Sequence, residues 1–196
     1  GIGLSDYPVA KDLDSVQHHA LAYQRVLADC GVEKSAIDAY IGAGGSHQMM
    51  IDDPVTLAEY FRIDHKYIDG TMTGGSSFEF HVQHGAAAIR EGLCDTILIT
   101  YGSDQLSRMG RMLGTGGFTR GTQKVGGPQA YEAPYGNSLV GSYAMAAQRH
   151  MHEYGTTSEQ LGEIAAGVRE FAGLNPNAMY RDPITADDVV SSRMIA

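Results

Sequence analysis

An α/β fold built on a largely parallel sheet follows from three features of this sequence. The run "CDTILITYG", Cys94–Gly102, is continuously apolar and β-branched between turn signals, as expected of a strand buried on both faces. "SVQHHALAYQRVLADC", Ser15–Cys30, instead repeats its apolar residues at helical spacing, through Val16, Ala20, Tyr23, Val26 and Leu27. Elsewhere strand-like and helix-like segments alternate, which is the pattern of strand–helix–strand units.

Taken in order, "GIGLSDYP" reads as the end of a strand followed by a turn. The helix Ser15–Cys30 is closed by Gly31, the residue type that accepts a left-handed C-terminal position. Ala36–Gly42 reads as a short strand ending in a glycine turn. Pro54–Phe61 reads as a helix, with Asp52 or Asp53 as its cap and Pro54 at its first position. Tyr67–Thr71 is a further short strand, and Ser76–Glu91 a helix closed by Gly92. After Cys94–Gly102, helix resumes over Ser138–Tyr154. Another helix starts where Thr157 and Gln160 form a capping-box pattern, and a short one begins near Thr185.

Bulk properties narrow the function classes. The 196 residues carry a net charge of −9, which argues against nucleic acid or an anionic membrane as partner. No apolar run approaches the ~18 residues of a bilayer span. Cys30 and Cys94 are isolated thiols that fit a reducing cytoplasm. No Cys-x-x-Cys or His-Glu-x-x-His spacing exists, so no metal site is expected. Dinucleotide, P-loop and Gly-x-Ser-x-Gly fingerprints are also missing.

Four groups of residues remain as candidates. In "TMTGGSSFEFHVQHGAAAI", Thr71–Ile89, glycines precede a helix whose first N–H groups are unpaired donors at a positive dipole end. Such a turn can hold an oxyanion or activate a thiol, or it can simply be the serine-capped start of a buried helix. His81 and His84 lie one turn apart on that helix, where they could form a proton-transfer or metal pair or serve as hydrogen-bonded structural groups. Asp104 follows a parallel strand, a favoured site position, whereas His150 and His152 share no helical face and read as solvated. Finally, Gln105–Val125 holds Arg108, Arg111, Arg120 and Lys124, no acid and five glycines. In an acidic protein, that reversal suits either a solvated loop or one that recognises phosphate, as on coenzyme A.

Together these segments resemble the N-terminal half of the thiolase superfamily. The closest likeness is to the sterol-carrier-protein-x type thiolases and their cysteine-less, aldolase-like relatives. "AAAIREGLCDTILITYGSD" resembles the family's central helix and following strand, and "YAMAAQRHMHEYGTTSEQLGEIA" the helix pair after its loop region. "DPITADDVVSSRMIA" is similar to the segment before the second half of that fold. The resemblance implies a thiolase-like α/β/α/β/α layered fold, with an inserted glycine-rich loop region in this half. Residues 1–104 would be the first α/β half, 105–137 the loop or lid region, and 138–196 helices leading on to a second half.

The resemblance also implies chemistry on acyl-CoA thioesters, with a C–C bond made or broken, and a role in lipid metabolism. The partners it implies are a second copy of the chain and a small zinc-ribbon/OB-fold protein. Counting back from Glu91-Gly92 brings the family's nucleophilic cysteine onto Gly75, and a shift of one residue gives Gly74 or Ser76. No register yields cysteine. Without a thiolate the covalent acyl transfer of a thiolase has no first step, and an aldolase-like reaction is expected instead. In it Gly74, Gly75 and Ser76 form the oxyanion turn, and Arg108, Arg111, Arg120 and Lys124 are the candidates for CoA phosphates. A non-catalytic acyl-CoA-binding or scaffolding subunit, and an acyltransferase using Ser76, are the alternatives.

Overall fold

The computed structural model describes residues 1–6, 10, 12–43, 53–104, 107, 127, 129–132 and 139–194. Its contacts divide the chain into two units, Gly1–Asp104 and Gln105–Ala196. In the first unit a parallel three-stranded sheet has the order β2-β1-β3, with β1 at Ala39–Ile41, β2 at Tyr67–Asp69 and β3 at Ile97–Ile99. Ala39 pairs with Tyr67 on one side and with Ile97 on the other. The α/β class read from the sequence is the class observed. The central strand is wholly buried and its neighbours less so, as expected for a strand paired on both edges.

Each helix of this unit starts and stops where local chemistry requires. α1, Ser15–Cys30, opens on a capping box between Asp14 and Gln17 and closes on Gly31 at φ 65°. α2, Pro54–Phe61, has Asp53 as its cap, accepting from the N–H groups of Val55 and Thr56, with Pro54 just inside. α3, Ser77–Arg90, turns Ser77, His81, Gly85 and Ala88 inward. This stripe is narrow for a reason. A Cβ on Gly85 would lie 3.1 Å from Ile97 Cδ1 and 3.5 Å from Ile41 Cδ1, so glycine lets the helix settle close to the sheet without the isoleucine ends having to give way. The main core joins Tyr23 of α1, Tyr40 of β1, Leu57, Ala58 and Phe61 of α2, and Leu98 of β3.

Two sequence expectations are corrected here. Residues 1–6 form no strand. They lie along α1 instead: the Ile2 N–H donates to Asp29 Oδ2 at 2.9 Å, and a Cβ on Gly3 would overlap the Ala22 carbonyl. Glycine here serves close packing against a helix, which an apolar pattern alone does not distinguish from an edge strand. The strand expected over Cys94–Gly102 is also shorter, Ile97–Ile99, because the central strand offers it only Ala39–Ile41 to pair with; beyond it the Thr100 hydroxyl meets the buried side chains of His19 and Tyr40 at 2.6 and 2.7 Å.

At the N-terminal end of the sheet, Asp38 ties all three strands together. Its carboxylate accepts from Thr96 N (2.8 Å) and Asp95 N (3.0 Å), which lead into β3, and pairs with Lys66 Nζ (3.0 Å) before β2. The Thr96 N–H, and with it the Lys66 ammonium and the Asp95 N–H, hold the Asp38 pKa down at about 2. A carboxylate depressed in the folded state contributes stability above its unfolded pKa and loses it as pH falls through the folded value. Asp38→Asn should therefore flatten the loss of stability between about pH 4 and pH 2, by about 1–2 kcal/mol after solvent screening. Denaturant midpoints of parent and variant across that range measure it.

In the second unit α4 is Gln129–Glu132, α5 Leu139–Tyr154, α6 Ser158–Leu174 and α7 Ala186–Val190. Thr157–Gln160 and Thr185–Asp188 capping boxes open α6 and α7. α6 packs on α7 through Gly162, where a Cβ would meet the Ala186 carbonyl at 3.0 Å. Among the described residues no helix is long and apolar enough to cross a membrane.

Candidate functional site

The turn that precedes α3 is held by side chains of that same helix. Ser77, fully buried, donates from Oγ to the Gly74 carbonyl (2.6 Å) and accepts there from the Thr73 N–H (2.9 Å). His81, also fully buried, donates from Nε2 to the Thr71 carbonyl at 2.8 Å. One turn further on, His84 Nδ1 lies 2.7 Å from Asp69 Oδ2, at the C-terminal end of β2. The other Asp69 oxygen accepts from Gly70 N (2.7 Å) and from the Thr71 hydroxyl (3.4 Å). Asp69, Thr71, Thr73 and Gly74 are thus each bonded to a side chain of α3.

Between these bonds the turn is open. Gly74 has φ +85°, a conformation that needs glycine, and a Cβ at either Gly74 or Gly75 would touch nothing within 4 Å. Gly75 does not have a positive φ, so a side chain, including a cysteine, would fit there without strain. Among the described residues nothing accepts from the N–H groups of Gly75 and Ser76. They stand exposed at the N-terminus of a 14-residue helix, where the dipole adds positive potential. The arrangement can receive a negatively charged oxygen.

Gly74, Gly75 and Ser76 sit together in this turn. Ser76 is the helix cap by position, but its side chain makes no capping bond; Thr73 Oγ1, at 3.5 Å, is what its hydroxyl reaches among the described residues. No base touches it there, so it has no activated form on view. His81 and His84 do not face a common ligand; each grips the β2–turn segment. Among the described residues no group of three or more His, Cys, Asp or Glu is set to hold a metal. Cys94 is buried and desolvation pushes its thiol pKa up, opposite to what a nucleophile needs. His150 and His152 are exposed, and Asp104 is half-buried. Arg108, Arg111, Arg120 and Lys124 lie outside the described residues.

Sequence reasoning missed Ser77, Thr71 and Asp69 as the scaffold of the turn. Asp69 had a readable signal, an acid at the end of a parallel strand. Ser77 had none, since side-chain bonds back into a loop leave no periodic trace. In the second unit a cleft of about 440 Å³ is lined by Arg169, Arg181, Glu163 and Glu170. Its two guanidiniums donate to the Asp182 and Gly173 carbonyls, and two carboxylates line the same cleft.

Solved structures share this fold. The Ltp2-ChsH2(DUF35) aldolase covers the whole chain and 48% of its own, with a TM-score of 0.81 and 27% identity. The SCP2-thiolase-like protein type 1 of Mycobacterium smegmatis covers 98% of this chain and 38% of its own at a TM-score of 0.63; at 18% identity it supports the fold alone. Among curated proteins, the steroid side-chain-cleaving aldolase of Thermomonospora curvata is 29% identical over the full chain. The 17-hydroxy-3-oxo-4-pregnene-20-carboxyl-CoA lyase of Mycobacterium tuberculosis is 27% identical over the same span. No family model matches the chain. The chain spans about half the length of these curated relatives, 50% of each. It is similar to aldolase-like and thiolase-like proteins, several of them named as enzymes.

Proposed function

We propose that this chain supplies one half of a thiolase-superfamily enzyme that makes or breaks a C–C bond of an acyl-CoA thioester by an aldolase-like route. The observation that supports the reading is the turn itself: the Gly75 and Ser76 N–H groups have no acceptor among the described residues, and glycine stands at the position onto which the resemblance brings the family's cysteine. In the cleavage direction a base takes the proton of a β-hydroxyl, the hydroxyl carbon becomes a carbonyl, and the Cα–Cβ bond breaks. Its electron pair passes to the thioester as an enolate. The Gly75 and Ser76 N–H groups and the α3 dipole stabilise the enolate oxygen, an effect that grows as charge develops.

Arg108, Arg111, Arg120 and Lys124 are proposed to meet the CoA phosphates, and the enzyme to work in the cytoplasm as a homodimer. A zinc-ribbon/OB-fold protein is proposed as its partner, a reading supported by the second component in the name of the Ltp2-ChsH2(DUF35) aldolase. The names of the relatives also make steroid side-chain thioesters a fitting substrate class.

The test is incubation of the full-length protein with β-hydroxyacyl-CoA and β-ketoacyl-CoA thioesters, steroid side chains among them. Release of an aldehyde or ketone from the β-hydroxy compounds is the expected result. Acyl transfer from the β-keto compounds to free CoA overturns it in favour of a thiolase reaction.

A further inference from the structure

We propose that His81 is a positioning residue of the oxyanion turn: by holding the Thr71 carbonyl it sets the direction of the Gly75 and Ser76 N–H groups without itself meeting substrate. The consequence for turnover rests on the aldolase-like reading; the placement of the turn does not.

A carbonyl only accepts, so the 2.8 Å contact to Thr71 puts the hydrogen of His81 on Nε2. Nδ1 is buried and, among the described residues, has no hydrogen-bond partner. Burying a polar ring with one nitrogen unpaired is unfavourable, and a leucine in the same place would carry no such cost. What the histidine adds over leucine is therefore the single N–H aimed at the turn. The ring is kept from swinging away by Phe78, edge-on at 5.2 Å, which is in turn stacked edge-on against Tyr101 at 5.2 Å.

The effect on the turn follows from spacing. Thr71 is fixed by its carbonyl to His81 and by its hydroxyl to Asp69, which His84 also holds. Thr73 and Gly74 are fixed by Ser77. Met72 alone lies between these two anchors, so the segment has few conformations open to it, and Gly74 at φ +85° makes the bend that follows. Removing the first anchor leaves Ser77 alone to hold the segment that leads into the glycine pair, the most mobile kind of backbone.

The experiment compares His81→Leu, which removes the N–H, with His81→Gln, whose side-chain amide can restore it, both in the full-length protein. The readouts are hydrogen exchange of the peptide covering 71–77, and kcat and KM on the cleaved thioester. His81→Leu is expected to speed exchange there by about tenfold or more and to lower kcat by about tenfold or more, with KM changed less than about threefold. His81→Gln should bring both back toward the parent. If the leucine variant does not fold, His81→Asn, too short to reach Thr71, takes its place. Exchange and kcat unchanged in the leucine variant overturn the proposal, as do equal acceleration along all of α3 or a failure of glutamine to restore. Should the parent cleave no thioester, the aldolase-like reading falls and exchange in the leucine and glutamine pair alone decides the role of His81.

Discussion

Gly74→Val is expected to lower kcat for thioester cleavage by about 10²- to 10³-fold while leaving the fold in place. Space is not the cause, because a Cβ at this position meets nothing within 4 Å. The cause is the backbone. At φ +85° a β-branched residue is strained by about 1–3 kcal/mol, and the turn relieves that strain by moving to negative φ. The peptide plane between Gly74 and Gly75 then rotates and takes the Gly75 N–H with it. Ser77 still holds the helix start, so stability should fall by no more than the strain itself. Gly74→Asn separates the two contributions, since asparagine tolerates left-handed backbone better than other residues with side chains. It should retain more activity than valine. Steady-state kinetics decide: kcat within threefold of the parent for the valine variant would remove this turn from the reaction.

Phe61→Ala is expected to cost about 3–5 kcal/mol of stability. Phe61 ends α2 and is 4% exposed. Its ring lies 5.1 Å from that of Tyr23 on α1, 6.0 Å from Tyr40 on the central strand and 5.5 Å from Tyr60. One ring therefore joins the helix to the central strand and to the helix across the core. Alanine leaves a cavity lined by two buried tyrosines, and aromatic edge contacts are lost together with the apolar burial. Urea titration followed by circular dichroism measures the change, with the same slope expected for parent and variant. A loss under about 1 kcal/mol would mean that the neighbouring side chains close over the gap.

The two ends of the small sheet divide the labour. Asp38 gathers the N-terminal ends of the strands and contributes stability. The C-terminal end of β2 leads through Asp69 and Thr71 to the turn. α3 connects the two roles, because the stripe of small and polar residues that lets it approach the sheet also carries Ser77 and His81 to the turn. A side chain at Gly85 would press on the ends of Ile97 and Ile41, on the same stripe that carries Ser77 and His81.

Most of the helices were legible in the sequence, because their signals are local. Gly31, Pro54, and Thr157 with Gln160 act within one turn of chain, and each marks a helix end in the structure. The α/β class was legible from the alternation of periodicities, and the glycine turn from "TGGSS". The strand at residues 1–6 and the full length of the strand around Ile97–Ile99 were misread, because pairing depends on partners far away in the chain. The histidines could be placed on one face of a helix, but not given their partners.

By itself, then, the sequence determined the class of fold, the helix ends and the absence of cysteine at the start of α3, all of them properties of neighbouring residues. Only the tertiary structure decided that Asp38 ties three strands, that His81 holds Thr71 and that the Gly75 and Ser76 N–H groups find no acceptor among the described residues. Those depend on where a side chain's partner lies once the chain has closed on itself, and a bond across 10 or 57 residues leaves no mark in local pattern.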